Sequence, residues 1–261
     1  MRDSQHDEQG VLDGAGVTLL AATAIVRLAT RDVKADRVLN ESVLDRLTAA
    51  VLDADSRAFD AIQPDLKRLR ITSIDLSDHY FPRIARKLGA DWADDSMSFA
   101  NVSLGVARMQ SILRQIGVDR AEDEARRAIL GRVLLILPES EQHSFGAMVL
   151  MGQMRRRGLS VSLRIAPRPA ELRLLLRQER FDGAMISVAC REKVEICRSV
   201  VRTLKNATRD ALKVAVGGAV FMNSPDVPAI VGADIITNDL DDALMALGLA
   251  AAGGVSELTY A

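Results

Sequence analysis

The segment Glu141-Gln142-His143-Ser144-Phe145-Gly146 places a carboxylate, an imidazole and a glycine side by side, directly after the apolar run Val133 to Leu137 and Pro138. A histidine two residues from a carboxylate can present one ring nitrogen to a metal while the other donates to the carboxylate. That arrangement fixes the tautomer and raises the basicity of the ligating nitrogen. Gly146 lets a bulky group approach the backbone. The chain has three histidines, His6, His79 and His143. A multi-histidine metal centre is thereby nearly excluded, while one protein ligand to a metal already held by a macrocycle stays open as a reading. A carboxylate and a histidine two apart are common in polar loops, so their position in the fold decides their meaning.

Two further groups carry a chemical suggestion. Ser187-Val188-Ala189 closes one apolar run, and Gly217-Gly218, followed by Ala219, Val220 and Phe221, closes another. A small hydroxyl residue and a glycine pair at strand ends would open a slot for a flat or elongated part of a ligand. Each alone is ordinary, Ser187 as a capping or turn residue and the glycines as a tight turn. Their coincidence with the Glu-x-His loop is the informative fact. Thr237, at the end of a further apolar run, is counted with them.

From Gly131 onward the pattern predicts strands at Val133 to Leu137, Ser160 to Ile165, Gly183 to Val188, Lys213 to Val216 and Asp234 to Thr237. Helices are expected at Phe145 to Arg157, Pro169 to Glu179, Arg191 to Asn206, Pro225 to Val231 and Leu240 to Ala250. Short apolar strands alternating with helices imply a parallel, doubly wound α/β sheet with a flavodoxin-like (Rossmann-like) strand order. Such sheets hold ligands outside the carboxyl ends of their strands, at the topological switch point. The three groups would then share one mouth. From Asn40 to Ile116 apolar residues recur at helical spacing, predicting an all-α bundle with breaks at Gln63-Pro64, Thr72 to Ser77 and Gly89 to Asp95. The expected organisation is a flexible or amphipathic segment over 1–38, the bundle over 39–118, a linker over 119–130 and the α/β domain over 131–253.

The 261 residues are 48% hydrophobic, with 34 basic against 35 acidic side chains. General disorder is excluded, and bulk charge predicts no nucleic-acid binder. Cys190 and Cys197 are too few for a disulfide scaffold and lack zinc-motif spacing. The apolar stretch from Val17 is broken by Arg27 and Arg31 and is too short to span a bilayer, and Met1 to Gly10 do not form a signal peptide. A cytoplasmic protein without membrane contact is expected. Met148, Met151 and Met154 read as core residues, Arg155 to Arg157 as a basic helix terminus, and Cys190 as a buried thiol.

The motif spacing resembles the cobalamin-binding domain of corrinoid proteins and methionine synthase, which carries Asp-x-His-x-x-Gly, then Ser-x-Leu, then Gly-Gly. Here 40 residues (147–186) separate the first two motifs and 27 residues (190–216) the last two. The resemblance implies that His143 is the lower axial ligand to cobalt and that the displaced dimethylbenzimidazole enters the slot beside Ser187, Gly217 and Gly218. Ser144, Phe145, Gly146, Val188, Ala189, Ala219, Phe221 and Thr237 would line the same site. Glu141 stands where the family has Asp, a longer arm toward His143, and Ala189 stands for Leu, which widens the slot wall.

A second resemblance lies in the helical half. Leu88-Gly89-Ala90-Asp91-Trp92, Asp95, Ser98-Phe99, Val102-Ser103-Leu104-Gly105 and Arg108-Met109-Gln110 look like the AerR/PpaA antirepressors of photosynthetic bacteria. That family couples a helical region to a cobalamin-type domain, sometimes described as holding heme, and opposes the CrtJ/PpsR repressor of photosynthesis genes. By this resemblance Trp92, Phe99 and Val102 face the upper side of the corrin. In CarH-type light-dependent repressors a comparable Trp is followed by a Glu-His pair, where this chain holds Val102 and Ser103. The resemblance therefore implies a cobalamin with a small upper ligand, hydroxo- or aquocobalamin, in a light-responsive regulator, with DNA contact at most weak or indirect. A corrinoid methyl carrier and a heme-binding redox sensor are the other readings of the same motifs. No residue reads as a catalytic acid, base or nucleophile for a separate substrate.

Overall fold

A computed structural model describes residues 39–55, 57–124, 129–138, 144–189, 191–221 and 232–249. The chain divides between Met109 and Gln110 into two compact units. In the first, helix α1 (Glu41–Leu52) starts where the Asn40 side chain accepts the Val43 N–H at 3.2 Å. This satisfies one of the donors that a helix start leaves open. Val43, Leu44, Leu47, Ala50 and Val51 form its buried stripe. Helix α2 (Ala58–Arg68) follows, with Leu66 buried and Asp65 paired to both Arg46 and Arg68.

The expected break at Gln63-Pro64 does not occur, because Pro64 lies inside α2. Proline there removes one backbone hydrogen bond, and the burial of Leu66 and the two ion pairs of Asp65 hold the turn. The chain breaks instead after Leu69, where Arg70 takes φ 55°. It restarts earlier than expected, because Thr72 and Asp75 cap one another: the Asp75 N–H donates to Thr72 Oγ1 at 3.1 Å and the Thr72 N–H to Asp75 Oδ2 at 2.8 Å. This capping box opens a helical run through a π-helical turn, Leu76–Tyr80, into α3 (Phe81–Ala93).

Gly89 does not end that helix. It is buried within α3, and the break falls at Asp94 to Ser98, with Asp95 at φ 55°. Helix α4 (Phe99–Glu124) then runs as a single 26-residue element across the division between the units and into the segment expected as a linker. At Gly105 a Cβ would lie 2.8 Å from Leu88 Cδ1 and 3.3 Å from Leu52 Cδ2, so the bare backbone is what lets α4 sit against the other helices. Arg108 donates to the carbonyls of Ala50 and Ala54, closing the carboxyl end of α1.

The second unit is a sheet of five strands: β1 (Gly131–Leu137), β2 (Leu159–Ile165), β3 (Gly183–Ser187), β4 (Val214–Gly217) and β5 (Ile235–Ile236). All neighbours pair in parallel, in the order β2-β1-β3-β4-β5. This is the flavodoxin-like order, with its switch point between β1 and β3. Between the strands run α5 (Ser144–Arg156), α6 (Pro169–Gln178) and α7 (Val194–Thr208), and α8 (Leu240–Leu247) follows β5. The helix expected at 225–231 and the last residues of the one expected to reach Ala250 lie outside the described residues.

Side chains alternate between the two faces of each strand. Leu134, Ile136, Ala184, Ile186, Val214 and Val216 meet α6 and α7 on one face. Val133, Leu135, Leu137, Met185 and Ala215 meet Ala147 and Met154 of α5 and the Leu240, Leu244 and Leu247 stripe of α8 on the other. β1 is buried on both faces, which is why its sequence is an unbroken apolar run. Asp234 secures the start of β5, accepting the Val214 N–H at 2.6 Å and the Lys205 ammonium at 2.7 Å.

Candidate functional site

All five strands point their carboxyl ends the same way, so the segments after β1, β3, β4 and β5 emerge at one edge of the sheet. Ser187 and Gly217 are register partners there. They lie two residues beyond the paired Met185 and Ala215 and so on the same face, the one covered by α5 and α8. Met185 and Ala215 are 4% and 3% exposed, whereas Ser187 and Gly217 are half-buried. The helical cover therefore thins at the serine and glycine. The Ser187 hydroxyl has no hydrogen-bond partner among the described residues.

The two glycines are explained first by the chain's own backbone. A Cβ on Gly217 would lie 2.5 Å from the Thr237 carbonyl oxygen. Gly218 has φ +123°, and a Cβ there would lie 2.6 Å from Val188 N, within the backbone of that residue. The Val188 N–H donates to the Gly217 carbonyl at 2.8 Å and the Val220 N–H to the Val188 carbonyl at 3.4 Å. The volume expected to form an open slot is thus partly taken up by three strand ends drawn together. Ser187 and Gly217 are half-buried beside this contact. Val188 and Ala189 are buried, Phe221 packs partly buried against the α6–α7 face, and Ala219 begins the 3-10 turn Ala219–Phe221.

Asn238 was not singled out from sequence. Its Oδ1 accepts the Gly218 N–H at 2.6 Å, while Thr237 Oγ1 accepts the Asp239 N–H at 3.1 Å. Asparagine after a short strand carries no periodic signal. The nearest sequence cue is its place next to Asp239, the N-cap of α8, in a run of turn-forming residues.

Glu141 and His143 lie outside the described residues. Their position is bracketed by Pro138 at the end of β1 and Ser144, the first residue of α5. In sequence they stand between an interior strand and a helix N-terminus, whose open N–H groups favour an electron-rich neighbour. Phe145 and Ala147 are buried at 4% and 1%, pinning the first turn of α5, and Gly146 between them is half-buried. Ser144 Oγ accepts a hydrogen bond from Gln110 Nε2 at 2.9 Å. Among the described residues no cluster of three or more His, Cys, Asp or Glu side chains could hold a metal.

In the helical unit Trp92 and Phe99 are half-buried, and Val102 is 1% exposed on the same helical stripe as Gly105 and Met109. Val102 presents no open surface as it stands. Met154 is fully buried and Met151 packs partly buried beside it, as core residues do. Arg157, read as part of a solvated basic terminus, instead pairs with Asp241 at 2.9 Å. Cys190 lies outside the described residues. Cys197 is a buried free thiol, pushed up to about 12 by burial.

Comparison with known proteins gives both a relative and a fold. No protein-family model matches the chain. In solved structures it is similar to the monomethylamine corrinoid protein of Methanosarcina barkeri, with a TM-score of 0.64 over 81% of this chain and 98% of that one. At 12% identity that likeness speaks to the fold, a helical region followed by a flavodoxin-like sheet. It is also similar to a cobalamin-binding protein from Desulfitobacterium hafniense DCB-2, at 19% identity over 79% of this chain and 95% of that one, with a TM-score of 0.38. In sequence it is 36% identical over 181 residues to a 20.5 kDa protein in the bchF-crtJ intergenic region of Rhodobacter capsulatus, covering 69% of this chain and 94% of that protein. The chain belongs to the family of that bchF-crtJ intergenic protein, built on the α/β fold seen in a corrinoid protein.

Proposed function

We propose that this chain binds cobalamin at the carboxyl edge of its sheet and acts as a light-responsive antirepressor toward a CrtJ/PpsR-type repressor. The observation that carries the reading is the meeting of Ser187 and Gly217 as register partners on the α5–α8 face, beside the strand whose loop holds Glu141-x-His143-x-x-Gly146. Two of the three motif residues, Ser187 and Gly217, are register neighbours on adjacent strands, which supports the reading. The regulatory half of the proposal is supported by the relative from the bchF-crtJ intergenic region.

The residues present fit such a ligand in two respects. The Ser187 hydroxyl, which has no hydrogen-bond partner among the described residues, can hydrogen-bond a ring nitrogen placed beside it. The scarcity of histidine leaves His143 as the ligand in the loop, with Glu141 positioned in sequence to hold its second ring nitrogen. When bound, the corrin would supply a light-sensitive cobalt centre. The protein's part is to bind two states of that centre unequally, because a ligand of equal affinity for both protein states shifts nothing. The role is regulatory rather than catalytic.

The test is to add hydroxocobalamin to the purified protein and record visible spectra in darkness and after illumination, then repeat with His143→Ala. Wild type is expected to retain the cofactor through gel filtration with shifted absorption bands that change on illumination. H143A is expected to lose affinity and show the spectrum of free hydroxocobalamin. Full affinity and an unchanged spectrum in the mutant would refute axial ligation, and a Soret band in protein as isolated would replace cobalamin by heme. Binding to a CrtJ/PpsR-type repressor should differ between cobalamin-loaded and cobalamin-free protein. Equal affinity in both states would rule out ligand gating, and methyl transfer from methylcobalamin-loaded protein to a methyltransferase would support a carrier instead.

A further inference from the structure

The two outer strands of the sheet differ in what they leave open. β5 has two residues, Ile235–Ile236, whereas β2 pairs all seven of its residues, Leu159–Ile165, with β1 in an unbroken register. In a strand the backbone groups of successive residues point alternately to its two sides. The Ala166 N–H donates to the Leu137 carbonyl, and the Gly158 carbonyl accepts the Leu130 N–H, each at 2.9 Å. Even-numbered residues of β2 therefore face β1, and the N–H and C=O groups of Leu159, Val161, Leu163 and Ile165 face away from the sheet. Among the described residues the one partner to these outward groups is Arg164 Nη1, which donates to the Leu163 carbonyl at 3.0 Å. A carbonyl has a second lone pair, so that bond leaves room for another. Open edges are ordinarily blunted by short strands, lysine, proline or a bulge. β5 is blunted by its length, while β2, Leu159-Ser160-Val161-Ser162-Leu163-Arg164-Ile165, has none of these devices.

We propose that β2 pairs with the β2 of a second copy of this chain, antiparallel about a two-fold axis at Ser162, joining two five-stranded sheets edge to edge. The strand is self-complementary about that residue. Val161 of one copy stands opposite Leu163 of the other, and Leu159 opposite Ile165. These are the outward-facing residues, so each pair can exchange two backbone hydrogen bonds. Leu159, Val161 and Leu163 pack on the α5–α8 face, which makes these pairs apolar on apolar. On the opposite face Ser160 meets Arg164 and Ser162 meets Ser162, so no charge stands against its like. An axis at Val161 or Leu163 would leave one end of the strand unpaired. Ile165 is 57% exposed at one end of β2, and Leu130, held to Gly158 at the other, is 60% exposed. Antiparallel pairing brings those opposite ends together. The same patch serves both copies, as a two-fold interface requires. The dimer needs no ligand at the carboxyl edge of the sheet, so it stands or falls apart from cobalamin binding.

The experiment uses the full chain. Sedimentation over a dilution series should show a dimer that dissociates on dilution. In hydrogen exchange, the Val161 and Leu163 amides should gain protection as concentration rises, while those of Ser162 and Arg164, bonded to β1, stay protected throughout. Ser162→Lys and Ser162→Glu each set like charges face to face at the axis, and each should raise the dimer Kd at least about 10-fold. Mixing the two should restore a heterodimer, which also shows that both variants are folded. In a Cys190→Ser background, Ser162→Cys should form a disulfide between copies on mild oxidation. Cα atoms of a non-hydrogen-bonded antiparallel pair lie about 4.5 Å apart, within disulfide range.

A wild type that is monomeric at every concentration would overturn the proposal. So would a dimer that withstands both charged variants, or a Ser162→Cys variant that forms no disulfide between copies, since either places the interface elsewhere.

Discussion

Gly218→Ala should damage this protein more than any other glycine-to-alanine change at the described positions with a positive φ. At φ +123° an L-residue lies outside its favoured regions, which costs about 1–3 kcal/mol. The new Cβ would also sit 2.6 Å from Val188 N, and the obstacle is strand-end backbone rather than the tip of a flexible side chain. Relieving it means separating β3 from β4 at their ends, which adds about 1–3 kcal/mol as for other overpacked sites. The combined loss is at least about 2 kcal/mol, or about 4–8 °C in Tm for a unit of this size.

Two controls separate the two contributions. Gly248 has φ +74° at the end of α8 with nothing within 4 Å of its Cβ position, so G248A carries backbone strain alone, about 1 kcal/mol. Gly152 is inside α5 and its Cβ would meet only the far end of Arg156 at 3.1 Å, so G152A should stabilise by about 0.5–1 kcal/mol. The assay is urea denaturation of a Cys190→Ser background, followed by thiol labelling of Cys197, which is buried in the sheet unit. Trp92 fluorescence, from the helical unit, should keep its midpoint if only the sheet unit is affected. A G218A loss no greater than that of G248A would refute the claim that Val188 backbone fills the space beside Gly218.

Other expectations follow from the same geometry. Asn238→Ala removes the acceptor of the Gly218 N–H and should cost about 1–3 kcal/mol in the sheet unit, measured by the same labelling assay, while N238D should retain the bond. Burial raises the Asp234 carboxyl, but the Lys205 hydrogen bond, the Val214 N–H and the charges of Lys205 and Lys213 outweigh it and hold the group below its usual 3.8. Its stabilisation is therefore present above pH 3.8 and lost as pH falls through the lower folded value. Asp234→Asn should lower Tm at pH 7, with the difference from wild type shrinking below pH 3.8, as read by thermal melts across pH 2.5–7. With its thiol pushed up to about 12 by burial, Cys197 in the C190S background should resist a disulfide reagent at pH 8 and react with one equivalent once unfolded. Rapid labelling of the native protein would contradict its burial.

The sheet was legible because its physics is local. β1 and β3 are buried on both faces and read as continuous apolar runs, and each helix between strands shows its own buried stripe. Boundaries moved by a residue or two, as at β4, expected at Lys213 and starting at Val214. The bundle was less legible because its punctuation depends on neighbours. Pro64 and Gly89 are helix breakers in isolation, yet one turn is held by the Asp65 ion pairs and the other is buried among packed helices. At the candidate site, Ser187 and the glycine pair stood out by residue type. Asn238 and Gln110 did not, because a single polar side chain gains its meaning from a partner 20 or 34 positions away.

Sequence by itself determined the alternation of strand and helix, the scarcity of histidine and the spacing of the three motifs, all properties of residue type and order along the chain. Tertiary structure decided which of those motifs become neighbours. Parallel pairing set Ser187 against Gly217 on the face between α5 and α8, and it turned the two glycines from a presumed opening into the close contact of three strand ends. Register and backbone approach arise from pairing between distant segments, where a shift of one residue would send every side chain to the opposite face.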